Sequence, residues 1–170
     1  MELLPVLDLL STLVFALVGA RIAADKGLDY GGIAFIAAVA SVSGGTLRNV
    51  FLGLKPVWIS DPWITVMVLS AVLITLVFRR VTRIGKTLLV MDTFGLAIAT
   101  ISGSYLAFKQ EVSWLAAIIL GVITAVTGGL LRDVLCQVEP VLLHRETIGT
   151  SSLMGAITFV SLYQLEVNLT

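Results

Sequence analysis

The sequence is poor in charge, in cysteine and in histidine. Only 13% of its residues are charged, against about 25% in an average soluble domain. Too few polar residues remain to cover a water-exposed surface, which excludes an ordinary soluble fold. The formal net charge is +0, so no global field points to nucleic acid or to steering of a charged macromolecule. Cys136 is the one cysteine, which excludes an intramolecular disulfide and a cysteine-based metal cluster. It reads as a small apolar packing residue. His144 is the one histidine, and it sits in a charged loop, where it reads as solvated. There is no P-loop, no HExxH, no dinucleotide fingerprint and no nucleophile–base–acid set. The expectation is therefore no enzyme, no cofactor, no resident metal and no nucleic-acid partner.

What the sequence does have is apolar length. It is 58% hydrophobic with a mean hydropathy of +1.04. A membrane span needs about 20 mostly apolar residues. Six segments meet that need: Leu3–Ala24, Tyr30–Val50, Pro62–Phe78, Thr87–Phe108, Trp114–Cys136 and Thr147–Leu165. They are long and continuous, so helices rather than strands are expected. The first run is too long for a signal-peptide core, and Glu2 stands where a basic start would be, so it reads as the first span. Trp58, Trp63 and Trp114 lie near span ends, where amphipathic rings settle at the headgroups.

The connections alternate in basic content. Arg21, Lys26, Arg79, Arg80, Arg83, Lys86 and Arg145 collect on one side, Lys55 and Lys109 on the other. The positive-inside rule makes the first side cytoplasmic and the N-terminus external, in a cell (inner) membrane.

Shifted by 84 residues, the sequence aligns with itself without a gap. Asp8 falls on Asp92, Gly19 on Gly103, Gly44-Gly45 on Gly128-Gly129, Leu47-Arg48 on Leu131-Arg132, and Pro56-Val57 on Pro140-Val141. Matched Asp, Arg, Pro and paired Gly are not products of apolar bias. The expected fold is an all-α membrane protein of two three-helix repeats, 1–84 and 85–170. Three spans per repeat is an odd number, so the second repeat must be inverted. Inverted repeats are a recurring architecture of transport proteins, with the site at the repeat interface.

Chemistry concentrates in Ser43-Gly44-Gly45-Thr46-Leu47-Arg48-Asn49-Val50 and in Thr127-Gly128-Gly129-Leu130-Leu131-Arg132-Asp133-Val134. Paired glycines inside a span invite a kink or break, whose freed carbonyls could line a wet path. The alternative is close helix packing on small residues. Arg48 and Arg132 lie inside the apolar runs, where an ionisable residue is costly and marks a functional site by default. Asp8 and Asp92 are the natural partners. Asp8–Arg48 and Asp92–Arg132 are expected to form symmetry-related pairs flanking one path. Pro56 and Pro140, eight residues after each Arg, are expected to redirect the chain.

With these motifs the chain resembles the prokaryotic TRIC (trimeric intracellular cation) channels, whose domain is also labelled a glycine transporter. The resemblance spans essentially the whole chain. It implies a homotrimer in the lipid bilayer, with a pore in each protomer for monovalent cations, chiefly potassium. It further implies kinks on the second and fifth spans at Gly44, Gly45, Gly128 and Gly129. Three departures stand out. Ser43 and Thr127 replace the first glycine of the family's triple glycine, and Asn49 replaces the acid that Asp133 keeps. The family's seventh helix is missing from a chain that stops at Thr170. The alternative function is a secondary transporter of a small amino acid such as glycine. A scaffold without a path is a third possibility.

Overall fold

A computed structural model of the chain describes residues 3–78, 85–140 and 146–169. Arg79, Arg80, Arg83, His144 and Arg145 lie outside them. Seven helices are present among the described residues: α1 (Leu3–Asp25), α2 (Tyr30–Phe51), α3 (Val57–Ser60), α4 (Pro62–Val77), α5 (Gly85–Lys109), α6 (Trp114–Leu135) and α7 (Glu146–Leu169).

Local chemistry sets these ends. Asp29 caps α2 by accepting from the Gly32 amide at 2.7 Å, and Ser113 caps α6 by accepting from the Ala116 amide at 3.3 Å. Asp61 caps α4, accepting from the Trp63 amide at 2.9 Å, with Pro62 in the first turn, where its missing N–H removes no helical bond. The C-terminal ends of α2 and α6 close alike. The Leu52 amide donates to the Arg48 carbonyl at 3.1 Å and that of Leu54 to Asn49 at 2.8 Å. In α6 the Cys136 amide donates to Arg132 at 2.9 Å and that of Val138 to Asp133 at 3.0 Å. The residue turning the chain out of each helix has positive φ: Gly53 at 68° and Gln137 at 51°. Pro56 sits at the N-cap of α3, a short helix that the apolar pattern did not announce.

Four of these helices are long and apolar enough to cross a membrane by length and composition: Leu4–Asp25, Tyr30–Phe51, Thr87–Lys109 and Trp114–Leu135. Residues Pro62–Val77 form a shorter apolar helix. The chain is thus an all-helical, multi-pass membrane protein. At its centre α1 packs on α2 and α5, α5 on α6, and α2 on α6. Around that centre, α4 lies on α1 and α2, while α7 lies on α5 and α6.

Small residues hold the centre together. Ala16, Ala20, Ala23, Ala37 and Ala71 are buried around Ile33, Ile36 and Val72, and Ala107, Ala117 and Ala156 around Ile118 and Val160. Lipid offers little hydrophobic drive between helices, so stability depends on close contact, which small side chains permit. Large apolar residues point outward instead, including Phe35, Trp63, Leu69, Leu73, Val77, Ile119, Met154 and Leu162.

Candidate functional site

The site is built where α2 and α6 cross. A β-carbon on Gly44 would collide with the Thr124 carbonyl, and one on Gly128 with the Ala40 carbonyl. The two contacts are equivalent under the 84-residue repeat, in which Ala40 matches Thr124 and Gly44 matches Gly128. No break opens at either glycine pair: α2 stays helical through Ser43, Gly44 and Gly45, and α6 through Thr127, Gly128 and Gly129. The expected break is therefore corrected to a close approach, with no side chain between the two backbones. The second glycine of each pair has a different neighbour. A β-carbon on Gly45 would lie 3.9 Å from Arg48 Nη2, and one on Gly129 3.7 Å from Arg132 Nη2. These two keep space open beside the guanidinium groups.

Thr127 Oγ1 donates to the Ile123 carbonyl of its own helix at 2.6 Å. Its counterpart Ser43 makes no such bond: its buried hydroxyl has no hydrogen-bond partner among the described residues.

One turn beyond the crossing, both arginines are almost wholly buried, at 0% exposure for Arg48 and 1% for Arg132. Each meets the aspartate expected of it. Arg48 donates from Nη1 and Nη2 to the two carboxylate oxygens of Asp8, at 3.2 and 3.1 Å. Arg132 donates likewise to Asp92, at 2.6 and 3.3 Å. Both pairs thus have the two-pronged geometry that a planar guanidinium offers a carboxylate. Each arginine also turns Nε toward the next residue in sequence: to Asn49 Oδ1 at 2.9 Å and to Asp133 Oδ1 at 2.8 Å. Every guanidinium nitrogen of both arginines is engaged. The Asn49 amide continues the network to the Lys55 carbonyl at 2.7 Å, tying the helix to the turn after it.

The clusters differ in charge and in a third helix. Arg48 and Asp8 sum to zero, whereas Arg132 with Asp92 and Asp133 sums to −1. Ser102 of α5 joins the first pair. It donates to Asp8 Oδ1 and accepts from Arg48 Nη1 at 3.1 Å. The sequence reading missed Ser102. Its repeat mate is Val18, so the internal alignment gave it no match, and a lone serine in an apolar run looks like helix packing.

Two cavities share Asp8 in their walls. One, of about 40 Å³, lies toward the crossing, lined among others by Ser11, Thr12, Ser41, Gly44, Thr46 and Arg48. The other, of about 320 Å³, lies toward the start of α1, lined among others by Pro5, Asn49, Leu54, Lys55 and Asp61. The small cavity is large enough for a water molecule, and residues with side-chain oxygens (Asp8, Ser11, Thr12, Ser41, Thr46 and Thr124) are among its lining. No group of His, Cys, Asp and Glu among the described residues could hold a resident metal ion.

Comparison with known proteins agrees with this architecture. The family model described as Glycine transporter matches residues 5–80 and again residues 89–164. The UPF0126 inner membrane protein YadS of Escherichia coli (strain K12) is 36% identical over 160 residues, covering 92% of this chain and 77% of that protein. A solved TRIC trimeric intracellular cation channel orthologue from Rhodobacter sphaeroides superimposes with a TM-score of 0.91 at 33% identity, covering 97% of this chain and 86% of that one. A further TRIC cation channel structure gives a TM-score of 0.83 at 32% identity, covering 98% and 83%.

Proposed function

The chain belongs to the family described as Glycine transporter, which takes in the TRIC channels and the UPF0126 membrane proteins, and from that premise we propose that it is a passive channel for monovalent cations, chiefly potassium. The observation that carries this reading is the TM-score of 0.91, at 33% identity, to a TRIC cation channel. The path runs within one protomer, among α1, α2, α5 and α6, past Asp8–Arg48 at one end and Asp92–Arg132 at the other. The glycines at 44, 45, 128 and 129 let the two central helices shift against each other around the path. The functional unit is a homotrimer of such protomers in a bacterial inner membrane. α4 and α7 complete six spans in two inverted repeats, with the N-terminus outside.

The state of the arginines supports cations over anions. A bare guanidinium beside the path would repel potassium. Here each guanidinium is matched by at least one carboxylate, and each of its nitrogens already donates within the protein. The ion therefore meets a guanidinium bonded to one carboxylate at one end and a guanidinium bonded to two at the other.

The family's description favours a second reading, a glycine transporter. Such a protein needs a cation free to hold the substrate carboxylate, and in this conformation Arg48 and Arg132 are both engaged. Planar-bilayer recording with purified protein under potassium and sodium gradients tests the choice. Potassium-selective single-channel currents are expected. No conductance, together with saturable glycine uptake into proteoliposomes, would reverse the order.

A further inference from the structure

We propose that Ser102 is a positioning residue that latches the Asp8–Arg48 pair across three helices, so that this end of the path, and not the Asp92–Arg132 end, holds the channel shut. The latch rests on the channel reading above.

Its geometry is a closed ring. Arg48 Nη1 donates to Asp8 Oδ1 at 3.2 Å and to Ser102 Oγ at 3.1 Å, and Ser102 Oγ donates in turn to the same Asp8 oxygen. Asp8 belongs to α1, Arg48 to α2 and Ser102 to α5, which is the first helix of the other repeat. Ser102 is fully buried, so water does not compete for its hydroxyl. A hydroxyl bonded to an ionised carboxylate in such a place is worth more than a neutral surface bond.

Asp8, with Val57 and Ile64, lines both cavities described above. In the proposed latch, an ion moving from one to the other past Asp8 displaces that carboxylate, which breaks the bond to Ser102 as well as those to Arg48. Among the described residues, no hydroxyl stands at the equivalent position of the other end. Ser102 corresponds to Val18, which is buried, carries no polar atom and lines an apolar cavity with Met91, the neighbour of Asp92. There the bonds of the Asp92–Arg132 pair join α5 to α6. A hydrogen bond to a charged group contributes on the order of tenfold in an equilibrium constant, so the two ends open unequally by about that factor.

The test uses full-length protein with Cys136→Ala and Thr12→Cys, which puts one thiol in the wall of the smaller cavity. A small cationic methanethiosulfonate reports how often that cavity is reached, whether or not potassium is conducted. Ser102→Ala is expected to raise the labelling rate about tenfold and to raise potassium conductance in planar bilayers. Ser102→Thr, which keeps the hydroxyl, is expected to return both toward the parent, and Ser102→Val is expected to behave like Ser102→Ala. Val18→Ser, which adds a hydroxyl at the other end, is expected to lower potassium conductance without changing Thr12→Cys labelling, and it serves even if the Ser102 variants fold poorly. Labelling that rises with no potassium current in any variant would support the latch and remove the channel reading. Potassium currents with parent-like labelling in Ser102→Ala, or a Val18→Ser protein that conducts as the parent does, would overturn the latch and leave the channel reading standing.

Discussion

The two ends of the central helix pair start from one design and finish it differently. At both ends an arginine on the last turn of a central helix grips an aspartate forty residues earlier with two parallel bonds. At the Asp8 end the remaining positions go to neutral groups, Asn49 and Ser102. At the Asp92 end Nε goes to a second acid, Asp133, and the residue that matches Ser102 in the repeat is the apolar Val18. Other matched positions part in the same way. Arg21 pairs with Asp25 on the next turn of α1 at 3.1 Å, while the corresponding Tyr105 and Lys109 meet as a cation over a ring at 5.2 Å. What is retained is the part each buried arginine requires, because an uncompensated charge in that position is severely destabilising. What diverges is the part that tunes charge and helix coupling.

The largest expected effect follows from that requirement. Arg132→Ala takes the guanidinium from two carboxylates, Asp92 and Asp133, and Arg48→Ala takes it from Asp8 alone. Breaking a buried pair costs about 3–5 kcal/mol, and Arg132→Ala should sit at or beyond the upper end of that range. Thermal unfolding of purified protein in detergent checks the order. Equal losses would mean that contacts other than Arg132 hold Asp133 in place.

The glycine crossing predicts equality where the ion pairs predict difference. Gly44→Ala and Gly128→Ala each force a methyl into a backbone carbonyl of the facing helix. Overpacking of this kind costs about 1–3 kcal/mol, and the two losses should agree, since the contacts are equivalent under the repeat. Gly45→Ala and Gly129→Ala meet only the end of a guanidinium at ordinary contact distance and should cost far less. Melting temperatures of the four variants give the comparison. A Gly45→Ala loss as large as that of Gly44→Ala would mean that the glycines act through flexibility rather than through close approach.

Much of this was readable from the residues because the signals are periodic or costly. Apolar length placed the long helices to within a residue or two of Tyr30–Phe51 and Trp114–Leu135. The expense of a buried arginine, joined to the 84-residue offset, named Asp8 for Arg48 and Asp92 for Arg132. The remainder lies in contacts that no pattern encodes. Ser102 acts across the repeats, on an arginine fifty-four residues away, and its own mate is a valine. The glycine pairs were ambiguous because composition cannot distinguish a broken helix from a close crossing. That a β-carbon on Gly44 would run into the Thr124 carbonyl is visible only once both helices are in place. Four residues of α3 are too short to leave a hydrophobic period.

Charge comes next in size. Asp133→Asn removes one formal negative charge from the second cluster and gives Arg132 the amide neighbour that Arg48 has. It should reduce potassium conductance several-fold at low ionic strength, with the difference narrowing as salt screens the field. Asn49→Asp runs the opposite way, but it also removes the amide that donates to the Lys55 carbonyl at 2.7 Å. It should therefore cost about 1–3 kcal/mol in stability where Asp133→Asn costs less. Bilayer recordings at several potassium concentrations, read beside melting curves, separate the field from the fold.

The smallest expected effect lies in the turns. The residue after α1 is Gly27, at φ 78°, and its mate after α5 is Glu111, at φ 56°. Likewise Gly53 after α2 corresponds to Gln137 after α6. The left-handed region is strained for a residue with a β-carbon by roughly 1 kcal/mol, so the second repeat keeps strain that the first has relieved. Glu111→Gly and Gln137→Gly should leave stability unchanged or raise it by up to about 1 kcal/mol, the gain trimmed by glycine's larger entropy in the unfolded chain. Gly27→Ala and Gly53→Ala should lower it by about the same amount. A β-carbon meets nothing within 4 Å at either glycine, so the backbone angle alone is being measured. A loss on Gln137→Gly would instead assign the Gln137 side chain a contact of its own, and the two repeats would then differ at this turn by design rather than by tolerated strain.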